Sequence, residues 1–206
     1  MTQVIEKYQL PLLVDALAQG NIVAFPTETV YGLACRFNDE AALDRLMEAK
    51  NRDYSKAITL MLSHKEDIAL YGEVNEGIKR VIDRFMPGII TIILKKKECV
   101  ADAMTNGRPT IGIRIPDDQF VLDLIDQTGP LLVTSANLSG QANTTNEQEV
   151  LSQLEGRLMY VVKGQTQSAL ASTVVDLTGD APRVLRAGLI QASDIEGVYH
   201  ENCSRV

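Results

Sequence analysis

Short apolar runs and amphipathic segments alternate along most of the chain. The run at residues 22–25 (IVAF) predicts a buried strand, because a brief apolar stretch bounded by polar residues is typical of strands covered on both faces. Before it, Leu10, Leu13 and Leu17 recur at helical spacing, and Gly20 is a typical residue at which a helix ends. The alternation of strand and helix continues beyond this point and predicts an α/β fold.

The remaining predicted elements complete a mixed sheet. Strands are predicted at residues 57–62, 89–94, 110–115 and 131–133 and around 160, 174 and 184, and helices after Asp39 and at 78–85, 120–125 and 147–154. The last strands follow one another without an intervening helix. This favours antiparallel pairing there, since parallel neighbours need a long crossover. We therefore predict a twisted mixed β-sheet flanked by helices.

Composition narrows the classes of function. The chain has 206 residues with 45% hydrophobic content, enough to fill one large domain, which we predict over residues 1–206. A net charge of −7 argues against a protein that binds nucleic acid over its whole surface, because phosphate binding needs clustered Lys and Arg. Three separated cysteines and two histidines favour neither a disulfide framework nor a zinc cluster. With no apolar run of about 20 residues and no signal-peptide pattern, we expect a cytoplasmic protein without membrane contact.

The first polar cluster follows directly on the first predicted strand. Residues 26–32 (PTETVYG) place hydroxyls and a carboxylate where the strand ends. Taken alone, the segment reads as an ordinary polar turn. Ligands of α/β proteins, however, bind at open sheet edges, so the cluster is also a candidate binding segment.

A cluster of cations follows the second predicted helix. Lys50, Arg52 and Lys56 lie within seven residues of an otherwise acidic chain. In a structural interpretation they interact favourably with the negative end of the helix dipole and bind no ligand. In a functional interpretation the ammonium and guanidinium groups clamp phosphate or carboxylate oxygens. The residues alone leave both interpretations open.

A third cluster lies on a predicted strand. Because side chains alternate along a strand, Thr110, Gly112 and Arg114 share one face and three isoleucines the other. A lone arginine on such a face most often points to solvent. Here it shares the face with a glycine, which leaves room for a ligand.

The segment at residues 134–140 (TSANLSG) supplies hydroxyls and an amide after another strand. Its groups either cap their own backbone or donate to phosphate or carboxylate oxygens. Ser135 has neither a G-x-S-x-G context nor a plausible histidine partner, which argues against a nucleophile. The sequence also has neither a phosphate-loop nor a dinucleotide fingerprint, so any nucleotide site is assembled from scattered residues, with Ser172 and Arg186 as late contributors.

Six short motifs occur in one order along the chain, at residues 26–32, 50–52, 112–116, 135–140, 172–176 and 186–188. In that order they resemble YrdC-like threonylcarbamoyl-AMP synthases of the short, single-domain form, over about residues 9–190. The resemblance implies a YrdC-like fold around one large concave cavity. It also implies a reaction that joins L-threonine, bicarbonate or CO2 and ATP into threonylcarbamoyl-adenylate, with pyrophosphate released. A threonylcarbamoyl transferase complex would then use this product to modify tRNA.

The resemblance assigns roles to individual positions. Threonine contacts are implied for Thr29, Arg114 and Ser172 and for the backbone of Val133. ATP contacts are implied for Arg52, Lys56, Thr110, Ser135, Asn137, Asn143 and Arg186, and catalytic roles for Lys50 and Arg52. An arginine suits a carboxylate because its fork binds both oxygens, whereas several cations and hydroxyls suit a triphosphate. Mg2+ is expected to accompany ATP and share its charge. No metal ligand is predicted, and Glu28 is a candidate only for a water-mediated role.

Two departures from the family pattern bear on specificity. Residues 53–58 (DYSKAI) replace a segment that in many relatives has a proline after the arginine, and Met61 stands where some relatives have a threonine-contacting histidine.

Two alternatives stay open: a paralogue that adenylates a different carbamate, and an RNA-binding or ribosome-maturation module with weak tRNA or RNA contact. Threonine-dependent pyrophosphate release argues against the first, and binding that weakens steeply with salt identifies the second.

Overall fold

One mixed sheet runs through the computed structural model, which describes residues 1–51 and 57–201. Its strands are β1 (Gln3–Ile5), β2 (Val23–Phe25), β3 (Gly32–Arg36), β4 (Thr59–Met61), β5 (Ile90–Lys95), β6 (Thr110–Arg114), β7 (Leu131–Ser135), β8 (Tyr160–Val162), β9 (Thr173–Asp176) and β10 (Arg183–Arg186). The α-helices are α1 (Leu10–Ala18), α2 (Glu40–Ala49), α3 (Ile68–Tyr71), α4 (Glu76–Phe85), α5 (Asp102–Thr105), α6 (Gln119–Thr128), α7 (Glu147–Leu154) and α8 (Ala192–His200).

The sheet combines parallel and antiparallel neighbours, in the order β1, β8, β2, β3, β7, β4, β6, β5, β9, β10. The parallel pairs are β1 with β8, β8 with β2, β4 with β6 and β5 with β9. The others are antiparallel, including the last two strands, β9 and β10. The prediction of a twisted mixed α/β sheet is therefore confirmed. The extent of a single domain over residues 1–206 stays a prediction.

The helices begin and end where short polar residues and glycine allow it. The side chain of Asp39 accepts a hydrogen bond from the Ala42 N–H at the start of α2, as predicted, and three asparagine or aspartate caps begin α4, α6 and α7 in the same way. Gly20 takes a φ of +74° just after α1. The predicted helices and strands are all present, with ends that differ by up to three residues. The pattern does not predict β3, because a glycine begins it directly after a polar turn.

Two apolar layers cover the faces of the sheet. Helices α2, α4, α7 and α8 pack on one face, and α1 and α6 pack on the other with Val23, Phe25, Met61 and Val133. Each fully buried leucine or isoleucine in these layers stabilises the fold by about 1.5–3 kcal/mol. Helices α1 and α6 cover only part of their face of the sheet. A cavity lies on the part that these two helices leave uncovered. Among the helices of the described ranges, none has the length and apolar composition that crossing a bilayer requires.

Candidate functional site

A polar cavity of about 250 Å³ lies on the face of the sheet that also carries α1 and α6. Met61 and Val133 belong both to its wall and to the apolar layer beneath those helices. Its polar lining consists of Thr27, Thr29, Tyr31, Thr59, Thr91, Arg114, Thr134, Ser135, Asn143, Ser172 and Arg186. Hydroxyls and guanidinium groups thus dominate the described residues of this wall, among which there is no aspartate or glutamate.

A second cavity, of about 160 Å³, adjoins the first and shares Ala57, Thr59, Thr91 and Arg186 with it. Its wall is apolar over Ile58, Ile93, Ile111 and Val174 and polar at Thr105, Arg108 and Thr110. The two cavities therefore form adjacent compartments of one site, the first polar and the second mainly apolar.

The sheet register opens this space. Val133, Thr59, Gly112 and Ile93 lie side by side on β7, β4, β6 and β5, so the glycine interrupts a row of larger side chains. The prediction that Gly112 and Arg114 share a face is confirmed, because Gly112 lines the second cavity and Arg114 the first. Arg114 is only 5% exposed, so the interpretation of this arginine as a solvated surface residue is wrong.

The guanidinium of Arg114 pairs with a carboxylate beside the cavity. Its Nη2 donates to Glu28 Oε1 at 2.7 Å and to Thr29 Oγ1 at 3.0 Å. The same Glu28 oxygen accepts from the Asp117 N–H at 3.1 Å. Within the described residues, the buried Glu28 Oε2 and Arg114 Nε have no hydrogen-bond partner. Buried polar atoms are nearly always satisfied, so this unpaired donor and acceptor mark a place where a ligand or water is expected.

The turn between β2 and β3 presents Thr29 as an acceptor. The Thr27 hydroxyl donates to the Val30 carbonyl at 2.8 Å and accepts from the Thr29 N–H at 3.1 Å. Because the hydrogen of Thr27 is used in this way, the contact of 3.0 Å between the two hydroxyls has Thr29 as donor. Thr29 also accepts from Arg114, which leaves one of its lone pairs for a ligand N–H or O–H.

Tyr31 connects the same turn to the segment that follows β8. Its hydroxyl lies 2.9 Å from the carbonyl oxygens of both Val162 and Gly164. Burial, and then the charge of Glu147, raises the pKa of this phenol above its ordinary value. Tyr31 therefore stays a neutral donor that ties the turn to the segment after β8.

On the opposite wall, Ser172 links Thr91 to Arg186. The Ser172 and Thr91 hydroxyls are 2.8 Å apart, and Arg186 donates to the Ser172 carbonyl at 3.0 Å and to its hydroxyl at 3.1 Å. Burial, and then the charge of Arg114, lowers the pKa of the Arg186 guanidinium. Two cations thus lie close enough to repel each other, an arrangement that a bound anion relieves.

Lys50 lies behind the cavity wall. It is 1% exposed, and its ammonium donates to the backbone carbonyls of Ser135 and Asn137. The Asn137 amide donates to the carbonyls of Leu138 and Gln141 and closes the same loop. Neither Lys50 nor Asn137 lines the two cavities, whereas Ser135 does. In this arrangement Lys50 holds the loop that presents Ser135, and its catalytic role stays a prediction.

The predicted site residues converge to a large extent. Thr29, Arg114, Val133, Ser135, Asn143, Ser172 and Arg186 line the first cavity, and Thr110 lines the second. Arg52 and Lys56 lie outside the described residues. Thr59 and Thr91 line both cavities without having been predicted, and Thr27, from the candidate binding segment at residues 26–32, lines the first. For Thr91 a signal exists, because it is the one polar residue in the apolar run IITIIL.

Gly188 gives the Arg186 wall its close packing. A Cβ at this position would lie 2.6 Å from both the N and the Oγ1 of Thr173 and 3.0 Å from the Ala171 carbonyl. We expect Gly188→Ala to lower the free energy of unfolding by about 1–3 kcal/mol, because backbone atoms must move. Gly179→Ala is the matched control, since a Cβ there meets nothing within 4 Å. Denaturant melts of the two variants measure the difference, and equal stability would contradict the packing account.

In the described part of the chain, the acidic residues do not converge on a site for a resident metal. Over residues 1–51 and 57–201, no group of three or more His, Cys, Asp or Glu side chains converges as metal ligands. Mg2+ therefore stays a prediction in which the ion arrives with ATP as part of the substrate.

Comparisons with known proteins agree on one family. The model of the Sua5/YciO/YrdC family, described as telomere recombination, matches residues 15–188. The threonylcarbamoyl-AMP synthase of Pyrococcus abyssi is 34% identical over 200 residues, covering 96% of this chain and 59% of the relative. That of Bacillus subtilis is 37% identical over 188 residues, covering 88% and 54%. The crystal structure of P. abyssi Sua5 complexed with L-threonine superposes with a TM-score of 0.90 at 32% identity, covering 96% and 61%. The chain thus spans less than two thirds of the length of these relatives.

Proposed function

The chain belongs to the Sua5/YciO/YrdC family, and we propose that it joins L-threonine, bicarbonate or CO2 and ATP into threonylcarbamoyl-adenylate, releasing pyrophosphate. The observation that carries the proposal is the buried Arg114, with an unpaired N–H, in a cavity lined by hydroxyls and a second guanidinium. A relative of the same fold binds L-threonine, which supports the choice of amino acid.

The first cavity suits an amino acid. Arg114, which is paired on one side with Glu28, and Arg186 bring guanidinium groups to this cavity that can bind a carboxylate, and the Arg114 Nε–H is still unpaired within the described residues. Thr29 keeps a lone pair that can accept from the amine of threonine. In this pose the guanidinium groups compensate the negative charge of the threonine carboxylate, and Thr29 holds the threonine amine.

The chemistry then needs two bonds to form. The neutral amine of threonine captures CO2 and loses a proton, which gives a carbamate. A carbamate oxygen attacks the α-phosphorus of ATP, the bond to the bridging oxygen breaks, and pyrophosphate leaves. Mg2+ bound to ATP shares the phosphate charge. The contribution of the protein is to position the reactants and to stabilise anionic charge, because no nucleophilic side chain is required.

The second cavity suits the nucleoside of ATP. Its apolar wall at Ile58, Ile93 and Ile111 matches a flat base, and its polar residue Thr110 is one for which ATP contact is predicted. Arg186 borders both cavities and is therefore available to the phosphates between them. Ser135 and Asn143, for which ATP contact is also predicted, line the first cavity.

The product is an activated carbamoyl donor, which we propose is consumed by a threonylcarbamoyl transferase complex in tRNA modification. Direct contact with tRNA is at most weak in this proposal, since the chain is acidic and its guanidinium groups at the site face a cavity. Binding of tRNA that weakens steeply with salt, without ATP turnover, would favour the alternative of an RNA-binding module.

Pyrophosphate release from ATP, Mg2+ and bicarbonate tests the substrate class. We expect release to depend on L-threonine and to exceed the release with L-serine, L-valine or L-alanine. Omission of bicarbonate is the control, because carbamate formation consumes its carbon. Stimulation by a different amino acid would identify the paralogue that adenylates another carbamate. ATP binding without stimulation by any amino acid would contradict the proposed reaction.

A further inference from the structure

Thr91 is a buried hydroxyl in a strand that is otherwise apolar. It is 4% exposed, lies on β5 between Ile90 and Ile92, and lines both cavities. Its methyl group lies against Gly112, 3.6 Å from where a Cβ would be. Because a β-branched side chain has few rotamers, this packing restricts the direction of the Thr91 hydroxyl. Among the described residues, the hydroxyl contacts Ser172 Oγ at 2.8 Å.

The hydrogen bonds of Ser172 can be counted. A serine hydroxyl has one hydrogen to donate and two lone pairs that accept. Arg186 Nη2 donates to Ser172 Oγ at 3.1 Å and occupies one lone pair. When Thr91 donates as well, both lone pairs are filled and only the hydrogen of Ser172 is left. Ser172 is 3% exposed and lines the first cavity, so with Thr91 as donor this hydrogen is available to an acceptor bound in the cavity.

The acceptor that fits such a donor is anionic. The guanidinium groups of Arg114, which is paired with Glu28, and of Arg186 line the first cavity, and a neutral O–H beside them strengthens the binding of a carboxylate oxygen. We propose that Thr91 is a positioning residue that donates to Ser172 and thereby makes the Ser172 hydroxyl a donor to the carboxylate of the amino-acid substrate. This inference rests on the proposed function, because it takes L-threonine as that substrate.

Calorimetric titration with L-threonine alone tests the inference in the full chain. Thr91→Val keeps the shape of the side chain and removes its hydroxyl, and we expect it to raise the Kd for L-threonine about tenfold. Thr91→Ser restores a hydroxyl and is expected to bind within about threefold of the native chain. The Kd for ATP, measured separately, is expected to change by less than about threefold in both variants. Thr91→Ala serves as a second hydroxyl-free variant if the valine variant does not fold.

A double-mutant cycle with Ser172→Ala separates positioning from packing. In the Ser172→Ala background the hydroxyl that Thr91 orients is absent, so Thr91→Val is expected to have no further effect on threonine binding. An additive effect would overturn the inference, as would a Thr91→Val variant that binds threonine as tightly as the native chain. Failure of the native chain itself to bind L-threonine would overturn the proposed substrate and this inference together. A loss confined to ATP binding would overturn the inference alone.

Discussion

Arg114→Ala is expected to lower kcat/KM for L-threonine by a factor of about 100 or more, while the KM for ATP changes by less than about threefold. The guanidinium is buried beside the first cavity, for which an amino acid is proposed, and removing one member of a buried charge pair costs about 2–5 kcal/mol. Most of that loss falls on threonine, because Arg114 lines the first cavity and does not line the second, which is proposed for the nucleoside.

The variant also leaves the Glu28 carboxylate buried without its cation. We therefore pair it with Glu28→Gln, which removes the carboxylate charge and retains Arg114, and record the melting temperature of both. We expect both variants to lose a similar amount of melting temperature, and only Arg114→Ala to lose the use of threonine. That result would show that Arg114 acts in binding as well as in folding. Equal rises in the KM for threonine and for ATP in Arg114→Ala would contradict the assignment of Arg114 to the amino acid.

Lys50→Ala is expected to lower the free energy of unfolding by about 2–4 kcal/mol, because a buried and a partly buried carbonyl lose a charged donor. For a chain of this size the melting temperature falls by roughly 5–15 °C. Nucleotide use falls with it, since the loop that carries Ser135 loses its attachment to the end of α2. Thermal melting and the KM for ATP are the two measurements.

Lys97→Ala is the matched control, because Lys97 is an exposed lysine on a loop away from both cavities. Its melting temperature is expected to stay within about 2 °C of the native value. A Lys50→Ala variant that melts like the control and yet loses ATP use would contradict the positioning role. Lys50 would then act on a ligand directly.

The sequence predicts much of the site because strand periodicity is a local property. The alternation on β6 assigns Gly112 and Arg114 to one face without any knowledge of their partners. The caps and the glycine after α1 are equally local, so the ends of these helices are predictable. The burial of Arg114 is not local, since it depends on Glu28 and Thr29, which come from a turn distant in sequence.

The remaining features depend on long-range pairing. The partners of the Lys50 ammonium lie 85 and 87 residues further along the chain, so spacing alone does not separate a cation that holds a loop from one that binds phosphate. Thr91 and Ser172 meet because β5 pairs in parallel with β9, a connection that no local pattern predicts. The roles of Arg52 and Lys56 stay predictions, because these residues lie outside the described part of the chain.

The most direct test of the proposed reaction follows the carbon of bicarbonate. The chain is incubated with ATP, Mg2+, L-threonine and carbon-13-labelled bicarbonate, and the adenylate products are identified by mass spectrometry. We predict one adenylate that contains threonine and a single labelled carbon, formed only when threonine is present. An adenylate of threonine without the label, or AMP with no labelled adduct, would contradict the account.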